Sequence, residues 1–242
     1  MRSLQTVQEG KGWEAVGRIE LGDRGFCTGA LIADDLVLTA AHCLYDKETG
    51  ERIDSASLRF LAGWRNGRAE AYRNVSVALA HPGFRFDQRD ALGNVGVDLA
   101  LLRLDQPIRL PQVAPFATDW TPPIGEEVGI VSYAMDRSEA PSLQEVCEIM
   151  AQRTNLMVLT CAVEFGASGA PVFAIRDGEV RIVSVVSAKA QVEGKAVSLA
   201  VPLMEPLKAL RAEMDADAPR AAPGARVLSG GGNGAKFVKV AP

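Results

Sequence analysis

Residues 27–43 read Cys-Thr-Gly-Ala-Leu-Ile-Ala-Asp-Asp-Leu-Val-Leu-Thr-Ala-Ala-His-Cys, and this stretch decides how the rest of the chain is interpreted. Its apolar residues lie on both sides of Asp34-Asp35, a pattern that predicts two short strands joined by a turn. The second strand ends in two small alanines, followed by His42 and Cys43. The stretch therefore delivers an imidazole at the end of a buried strand. General-base chemistry requires such a fixed imidazole, because proton transfer tolerates little misplacement.

The composition is that of a globular protein. The 242 residues are 48% hydrophobic and 23% charged, which is ample for the core of one large domain or two small ones. A formal charge of −4 gives no reason to expect a nucleic-acid partner. No apolar run approaches the length of a membrane span. The first residues lack the apolar core of a signal peptide, so either the protein is cytosolic or a leader has been removed.

Short alternating runs separated by turn signals recur along the chain. They predict an all-β sandwich or barrel rather than an alternating α/β fold. The predicted strands are 15–21, 27–32, 37–40, 57–62, 71–79 and 99–104 in the first half and 127–133, 143–150, 156–161, 170–175, 180–187 and 196–201 in the second. After residue 202 the period changes, and Leu203, Leu207, Leu210 and Met214 stand at helical spacing. We expect one short amphipathic helix there, packed on the second half.

The same patterns divide the chain into five parts. Residues 1–12 are polar and predict an irregular lead-in, and 13–109 form the first strand-rich half. Residues 110–123 hold four prolines, which indicates a connector running over the surface. The second half with its helix occupies 124–214, and the Ala-, Pro-, Gly- and Ser-rich residues 215–242 predict a flexible tail.

Four cysteines fall into two pairs, Cys27 with Cys43 and Cys147 with Cys161, each enclosing a short loop. Neither pair has the close spacing of a zinc site, and two histidines are too few to complete one. Two disulfides or four reduced core cysteines are the alternatives. Disulfides imply an oxidising compartment, so we expect a secreted or periplasmic protein.

Two further stretches of the sequence carry residue types that nucleophilic catalysis needs. Residues 98–104, Asp-Leu-Ala-Leu-Leu-Arg-Leu, place the Asp98 carboxylate directly before an apolar strand, where it is costly unless it accepts hydrogen bonds. Residues 165–173, Phe-Gly-Ala-Ser-Gly-Ala-Pro-Val-Phe, place Ser168 between glycines that permit unusual backbone conformations. A hydroxyl nucleophile needs a base, an acceptor that orients the base, and donors for the oxyanion.

The three blocks, in the order His42, Asp98, Ser168, resemble those of the chymotrypsin/trypsin-like serine endopeptidases over residues 13–214. This resemblance implies two six-stranded antiparallel β-barrels with a C-terminal helix. It also implies that Ser168 is the nucleophile, His42 the general base and Asp98 its orienting group, with the backbone N–H groups of Gly166 and Ser168 as oxyanion donors. No metal or organic cofactor is implied. The expected partner is a polypeptide substrate, and the expected state is a monomer.

One departure concerns activation. Animal members of the family carry an aspartate directly before the nucleophile, and it pairs with a new N-terminal amine after zymogen cleavage. Here that position is Ala167, so the chain is more similar to bacterial trypsin-fold endopeptidases. We therefore expect activity that does not depend on a trimmed N-terminus.

Substrate preference is the second departure. Trypsin-like enzymes hold Arg or Lys with an aspartate six residues before the nucleophile, where this chain has Ala162, followed by Val163. Ser187, Ala188 and Lys189 resemble the substrate-pairing segment of the family. Ala162 and Val163 predict a small or medium apolar P1 side chain. An inward-pointing Lys189 would instead narrow the pocket or attract an acidic P1.

Two other interpretations stay open. The chain can be a trypsin-fold protein of weak or no activity that acts as a binding module, with Ala167 and Lys189 as its marks. It can also be an unrelated β-rich binding protein in which the three blocks coincide by chance. His81, in a His-Pro-Gly-Phe turn, is predicted to be structural.

Overall fold

Two sheets and one C-terminal helix make up the fold in a computed structural model that describes residues 2–87 and 93–216. The strands and the helix are β1 (Arg2–Ser3), β2 (Val16–Leu21), β3 (Phe26–Ala33), β4 (Leu36–Thr39), β5 (Leu58–Ala62), β6 (Ala71–Ala80), β7 (Ala100–Leu104), β8 (Glu127–Ala134), β9 (Arg137–Arg153), β10 (Leu156–Leu159), β11 (Pro171–Arg176), β12 (Glu179–Val192), β13 (Lys195–Pro202) and α1 (Met204–Ala216). The predicted all-β class with a C-terminal helix is confirmed.

The first half closes into a barrel with the strand order β2-β3-β4-β7-β6-β5. The hairpin predicted around Asp34-Asp35 is β3 and β4, which pair with Leu31 opposite Val37. On its other side β4 pairs with β7, with Thr39 opposite Ala100. The end of β4 and the start of β7 therefore lie side by side, and this register brings the residues just beyond them to one end of the barrel.

The second sheet has seven strands in the order β1-β9-β10-β13-β12-β11-β8, and β8 also pairs with β9. The six strands β8–β13 thus form a closed ring of pairings, and β1 is an addition to β9. The expectation of an irregular lead-in over 1–12 is wrong at Arg2–Ser3, which form β1. Leu4 explains the difference, because its side chain is buried and its N–H donates to Pro141 O at 2.8 Å.

The connector and the helix both differ in part from what the sequence indicates. No strand or helix occurs in the described residues of 110–123, yet Phe116 is buried, with its ring centroid 4.7 Å from that of Phe173. Helix α1 buries Leu207, Leu210 and Met214, as the spacing predicts. It packs against β6 and β7 of the first barrel, so the expectation that it packs on the second half is wrong. Because α1 runs to Ala216, the prediction of a flexible tail over 215–242 is wrong at its first two residues, and the rest of that tail lies outside the described residues.

Within residues 2–87 and 93–216, no helix has the length and hydropathy needed to cross a bilayer.

Candidate active site

The His42 and Asp98 side chains meet at the end of the first barrel. His42 lies in a short 3-10 turn after β4, and Asp98 follows a similar turn before β7. Asp98 Oδ2 lies 2.7 Å from His42 Nδ1, and Asp98 Oδ1 accepts from the His42 backbone N–H at 2.8 Å. The carboxylate is only 3% exposed and also accepts from Ser187 Oγ at 2.5 Å. Three hydrogen bonds offset the cost of burying it. With the proton on Nδ1, Nε2 carries the lone pair that a base needs.

Ser168 lies in a tight turn that leads into β11 in the second sheet. His42 and Ser168 line the same pocket. In the part of the chain that the structure describes, no hydrogen bond joins the imidazole to the Ser168 hydroxyl. Such contacts are often long before substrate binds. Gly169 has φ +78°, and a β-carbon there would overlap Thr39 and the Thr28 carbonyl. Only glycine therefore allows the serine turn to approach the first barrel so closely.

The backbone N–H groups of Gly166 and Ser168 have no hydrogen-bond partner among the described residues. Gly166 is buried, and a buried N–H without a partner is uncommon. The neighbouring carbonyls fix where these donors point, because N–H and C=O are antiparallel across a trans peptide. Phe165 O accepts from Met135 N–H at 2.8 Å, and Ala167 O accepts from Ala170 N–H at 3.0 Å. The two donors therefore point away from those bonds and can receive a developing oxyanion.

The specificity residues predicted from sequence divide into two groups. Val163, Ser187, Ala188 and Lys189 line the pocket that contains Ser168. Ala162 is exposed and is not among the residues that line it.

The Lys189 ammonium lies beside the pocket in a specific set of contacts. Its Nζ lies 3.2 Å from Glu164 Oε2 and 4.0 Å from the centroid of the Phe165 ring. Glu164 and Phe165 thus hold the charge near the rim, while Val163 and Val186 supply buried apolar walls. The chemistry of the pocket is apolar inside and charged at the edge.

An open strand edge lies beside this pocket. The pairing between β11 and β12 begins at Pro171 opposite Val185, so that beyond Val186 strand β12 pairs, among the described strands, only with β13. The segment Ser187–Lys189 lies on this stretch of β12. An extended peptide can add to such an edge through main-chain hydrogen bonds.

Sequence reasoning missed several residues that the structure brings to the site. Val186 could have been found, since it directly precedes Ser187 on an alternating strand. Thr28 follows Cys27 in the His-bearing block, but its side-chain contacts lie more than a hundred residues away. Lys47 and Phe84 come from loops that line pockets beside His42, and no pattern in the sequence distinguishes them.

Two disulfides join the cysteines as paired above. The bonds are Cys27–Cys43 and Cys147–Cys161. The first ties β3 to the turn that carries His42, because Cys43 directly follows that histidine. Each sulfur is therefore committed to its partner.

His81 lies away from the pockets that His42 lines. It lines a separate pocket with Trp120 and Pro202. Its Nδ1 accepts from the Gly83 N–H at 3.1 Å, within the turn. Burial lowers the pKa of His81, against a smaller opposing effect from Glu213.

Parts of the chain are similar in sequence to known proteins. A family model described as a trypsin-like peptidase domain matches residues 27–181. A modular serine protease of Drosophila melanogaster is 38% identical over 93 residues, which are 36% of this chain and 14% of that protein. A glutamyl endopeptidase of Bacillus licheniformis is 29% identical over 153 residues, which are 62% of this chain and 45% of that protein. The chain thus spans less than half the length of these curated relatives.

Solved structures show the same fold at lower sequence identity. A Glu endopeptidase in complex with MPD has a TM-score of 0.67 and 19% identity, over 84% of this chain and 92% of that one. A thermostable serine protease, AL20, from an extremophilic microorganism has a TM-score of 0.67 and 16% identity, over 84% of this chain and 98% of that one.

Proposed function

This chain belongs to the trypsin-like peptidase domain family, and from that premise we propose that it is a serine endopeptidase acting through Ser168, His42 and Asp98. One observation carries the proposal. Buried Asp98 is hydrogen-bonded to His42, which lines the pocket that holds Ser168, beside two backbone N–H groups that have no partner among the described residues. These are the parts that acyl transfer to a hydroxyl requires.

The proposed reaction follows from those positions. Ser168 Oγ attacks the scissile carbonyl carbon, and its proton passes to Nε2 of His42. Asp98 holds the Nδ1–H and stabilises the imidazolium, since its Oδ2 lies 2.7 Å from Nδ1. The oxyanion receives hydrogen bonds from the Gly166 and Ser168 N–H groups. The imidazolium then gives its proton to the leaving amine, and water hydrolyses the acyl-enzyme by the same route.

Replacing the nucleophile tests this proposal. We expect Ser168→Ala to lower turnover by about 10⁴-fold or more while the protein stays folded. We also expect an organophosphonate to label the wild-type protein and not the variant. Ser184→Ala is the matched control, because Ser184 is buried, bonds to Val201 O and lies outside the pocket. An unlabelled wild-type protein that still binds peptides would support the binding-module alternative.

We further propose that the P1 side chain is small or medium and apolar. The buried walls formed by Val163 and Val186 support this preference, since the Lys189 ammonium is engaged with Glu164 and Phe165. A peptide library with P1 Ala, Val, Leu, Glu and Lys tests it, with kcat/KM as the readout. A dominant Glu preference that Lys189→Met abolishes would contradict it. That outcome would instead match what the name of the glutamyl endopeptidase relative suggests.

The two disulfides support a secreted or periplasmic location, because such bonds persist in oxidising compartments. Fractionation of the producing cells tests this location. Light scattering of the purified protein tests the expected monomer.

A further inference from the structure

We propose that Thr28 is a positioning residue, whose hydroxyl holds the oxyanion loop (residues 164–169) in its active conformation. This inference rests on the proposed function. It concerns a residue of the first barrel that acts on a loop of the second. Thr28 lies on β3, is 0% exposed, and directly follows Cys27.

Thr28 bonds to both residues whose N–H groups are the candidate oxyanion donors. Its Oγ1 donates to Gly166 O at 2.9 Å, and its backbone N–H donates to Ser168 O at 2.9 Å. The other oxygen near the hydroxyl, Tyr133 O, is 3.5 Å away and therefore a weak acceptor. Gly166 and Ser168 are thus each attached through their carbonyl to the same residue of the opposite barrel.

The Thr28 hydroxyl also accepts a hydrogen bond. The Tyr133 N–H donates to Oγ1 at 3.0 Å. Tyr133 lies near the end of β8, two residues before Met135, whose N–H fixes the Phe165 carbonyl. The oxyanion loop is therefore held from two sides, by the end of β8 directly and by Thr28, which is itself attached to β8.

This attachment matters because the residue directly before the nucleophile provides no ion pair to hold the loop. The residue before the nucleophile is Ala167, which is buried and offers no carboxylate for an ion pair. Gly166 has φ +97°, and glycine is free to leave such a conformation. Rotation about its backbone would turn the Gly166 N–H out of the oxyanion position. Met135 holds the peptide that carries this N–H at the Phe165 carbonyl, and Thr28 holds the next peptide at the Gly166 carbonyl, so the two bonds together oppose rotation at Gly166.

At position 28 the side-chain hydroxyl donates one hydrogen bond and accepts another at the same time, which an apolar side chain cannot do. Thr28→Val keeps the shape but leaves Gly166 O and Tyr133 N–H buried without partners, whereas Thr28→Ser keeps both bonds. Losing one oxyanion donor costs about 10²–10³-fold in kcat, so we expect a misplaced donor to cost about tenfold or more.

The experiment compares Thr28→Val, Thr28→Ser and the control Ser184→Ala in the full chain. For each, kcat per titrated active site and KM are measured on one peptide substrate, together with inhibition by the matching peptide aldehyde. The aldehyde forms a hemiacetal whose oxygen occupies the oxyanion position. We expect Thr28→Val to lose about tenfold or more in kcat and in aldehyde affinity, with KM changed less than about threefold. Thr28→Ser and Ser184→Ala should resemble the wild type.

Each result separates the two proposals. A Thr28→Val protein with wild-type kcat and aldehyde affinity would overturn the role of Thr28 and leave the proposed function standing. A wild-type chain without peptidase activity would overturn both. If Thr28→Val does not fold, Thr28→Ala removes the same hydroxyl with less bulk, and the same criteria apply. A loss shared equally by Ser184→Ala would mark the effect as general destabilisation and refute positioning.

Discussion

The two disulfides form a natural matched pair, and removing each in turn separates stability from catalysis. Cys27–Cys43 spans 16 positions and Cys147–Cys161 spans 14, so the loops that they close are nearly equal. All four cysteines are buried. Replacing either pair with alanines therefore changes the chain entropy and the core volume to a similar extent.

The expected loss of stability is the same for both. For loops of 16 and 14 residues, the chain-entropy relation gives about 3 kcal/mol of unfolding free energy at 25 °C in either case. The expected loss of activity is different. Cys27 directly precedes Thr28 and Cys43 directly follows His42, so the first bond fixes two residues of the site. A misplacement of about 1 Å at such residues costs about 10²-fold in rate.

Urea unfolding followed by fluorescence measures the loss of unfolding free energy, and kcat per titrated active site measures the loss of activity. We expect Cys27→Ala/Cys43→Ala to lose about 3 kcal/mol and about tenfold or more in kcat. We expect Cys147→Ala/Cys161→Ala to lose a similar free energy while kcat stays within about threefold. Equal losses of kcat in the two double variants would refute the argument that the first disulfide positions the site.

Two further substitutions test single contacts. We expect Asp98→Asn to lower kcat by about 10⁴-fold with little loss of stability. The reason is that an amide NH₂ facing Nδ1 of His42 would move the imidazole proton to Nε2. Steady-state kinetics and a thermal melt measure the two effects, and a loss of kcat below tenfold would contradict the expectation. We expect the melting temperature to fall more on acidification from pH 7.5 to 5.5 in the wild type than in His81→Asn. Burial lowers the pKa of His81 below the ordinary value of about 6.5. The unfolded chain therefore binds more protons in that pH range, and stability falls as the pH drops. An equal fall of the melting temperature in the wild type and in His81→Asn would contradict this expectation.

The sequence predicts the class of the fold better than it predicts where each strand begins and ends. Alternation and turn residues predict the β3–β4 hairpin and the class of fold, because period-two burial leaves a local signal. The 17-residue strand β9 extends well beyond the predicted 143–150 at both ends. Its outer parts pair with β8 and β10 rather than follow a local pattern.

Helix α1 shows the same limit. The spacing of its apolar residues indicates a buried face, but that spacing carries no information about which barrel covers it. The covering strands β6 and β7 lie about a hundred positions earlier in the chain. Contacts of such sequence separation are set by the assembled barrels, and no local pattern encodes them.

Convergence at the site depends on strand pairing in the same way. His42 and Asp98 meet because β4 pairs with β7, a register that neither segment encodes alone. In sequence, the three blocks were connected only by their resemblance to a family. Thr28 had no such support, because its partners Gly166 and Tyr133 belong to the second half of the chain. A threonine after a cysteine on a strand is otherwise ordinary.

The P1 preference is the property that is hardest to predict from the sequence, because it depends on which of several weak contacts the long side chain of Lys189 makes. The sequence left open whether Lys189 points into the pocket, and in the structure Glu164 and Phe165 hold it at the rim. Both partners of that ion pair are about half exposed, and exposed pairs contribute only about 0–1 kcal/mol. An acidic P1 side chain would therefore compete for the ammonium at little cost. The buried contribution of Val163 and Val186 is larger, since burying an apolar P1 side chain against them is worth about 1.5–3 kcal/mol. On these magnitudes we expect an apolar P1 side chain to be preferred over Glu, and Lys189→Met to leave that preference unchanged or strengthen it.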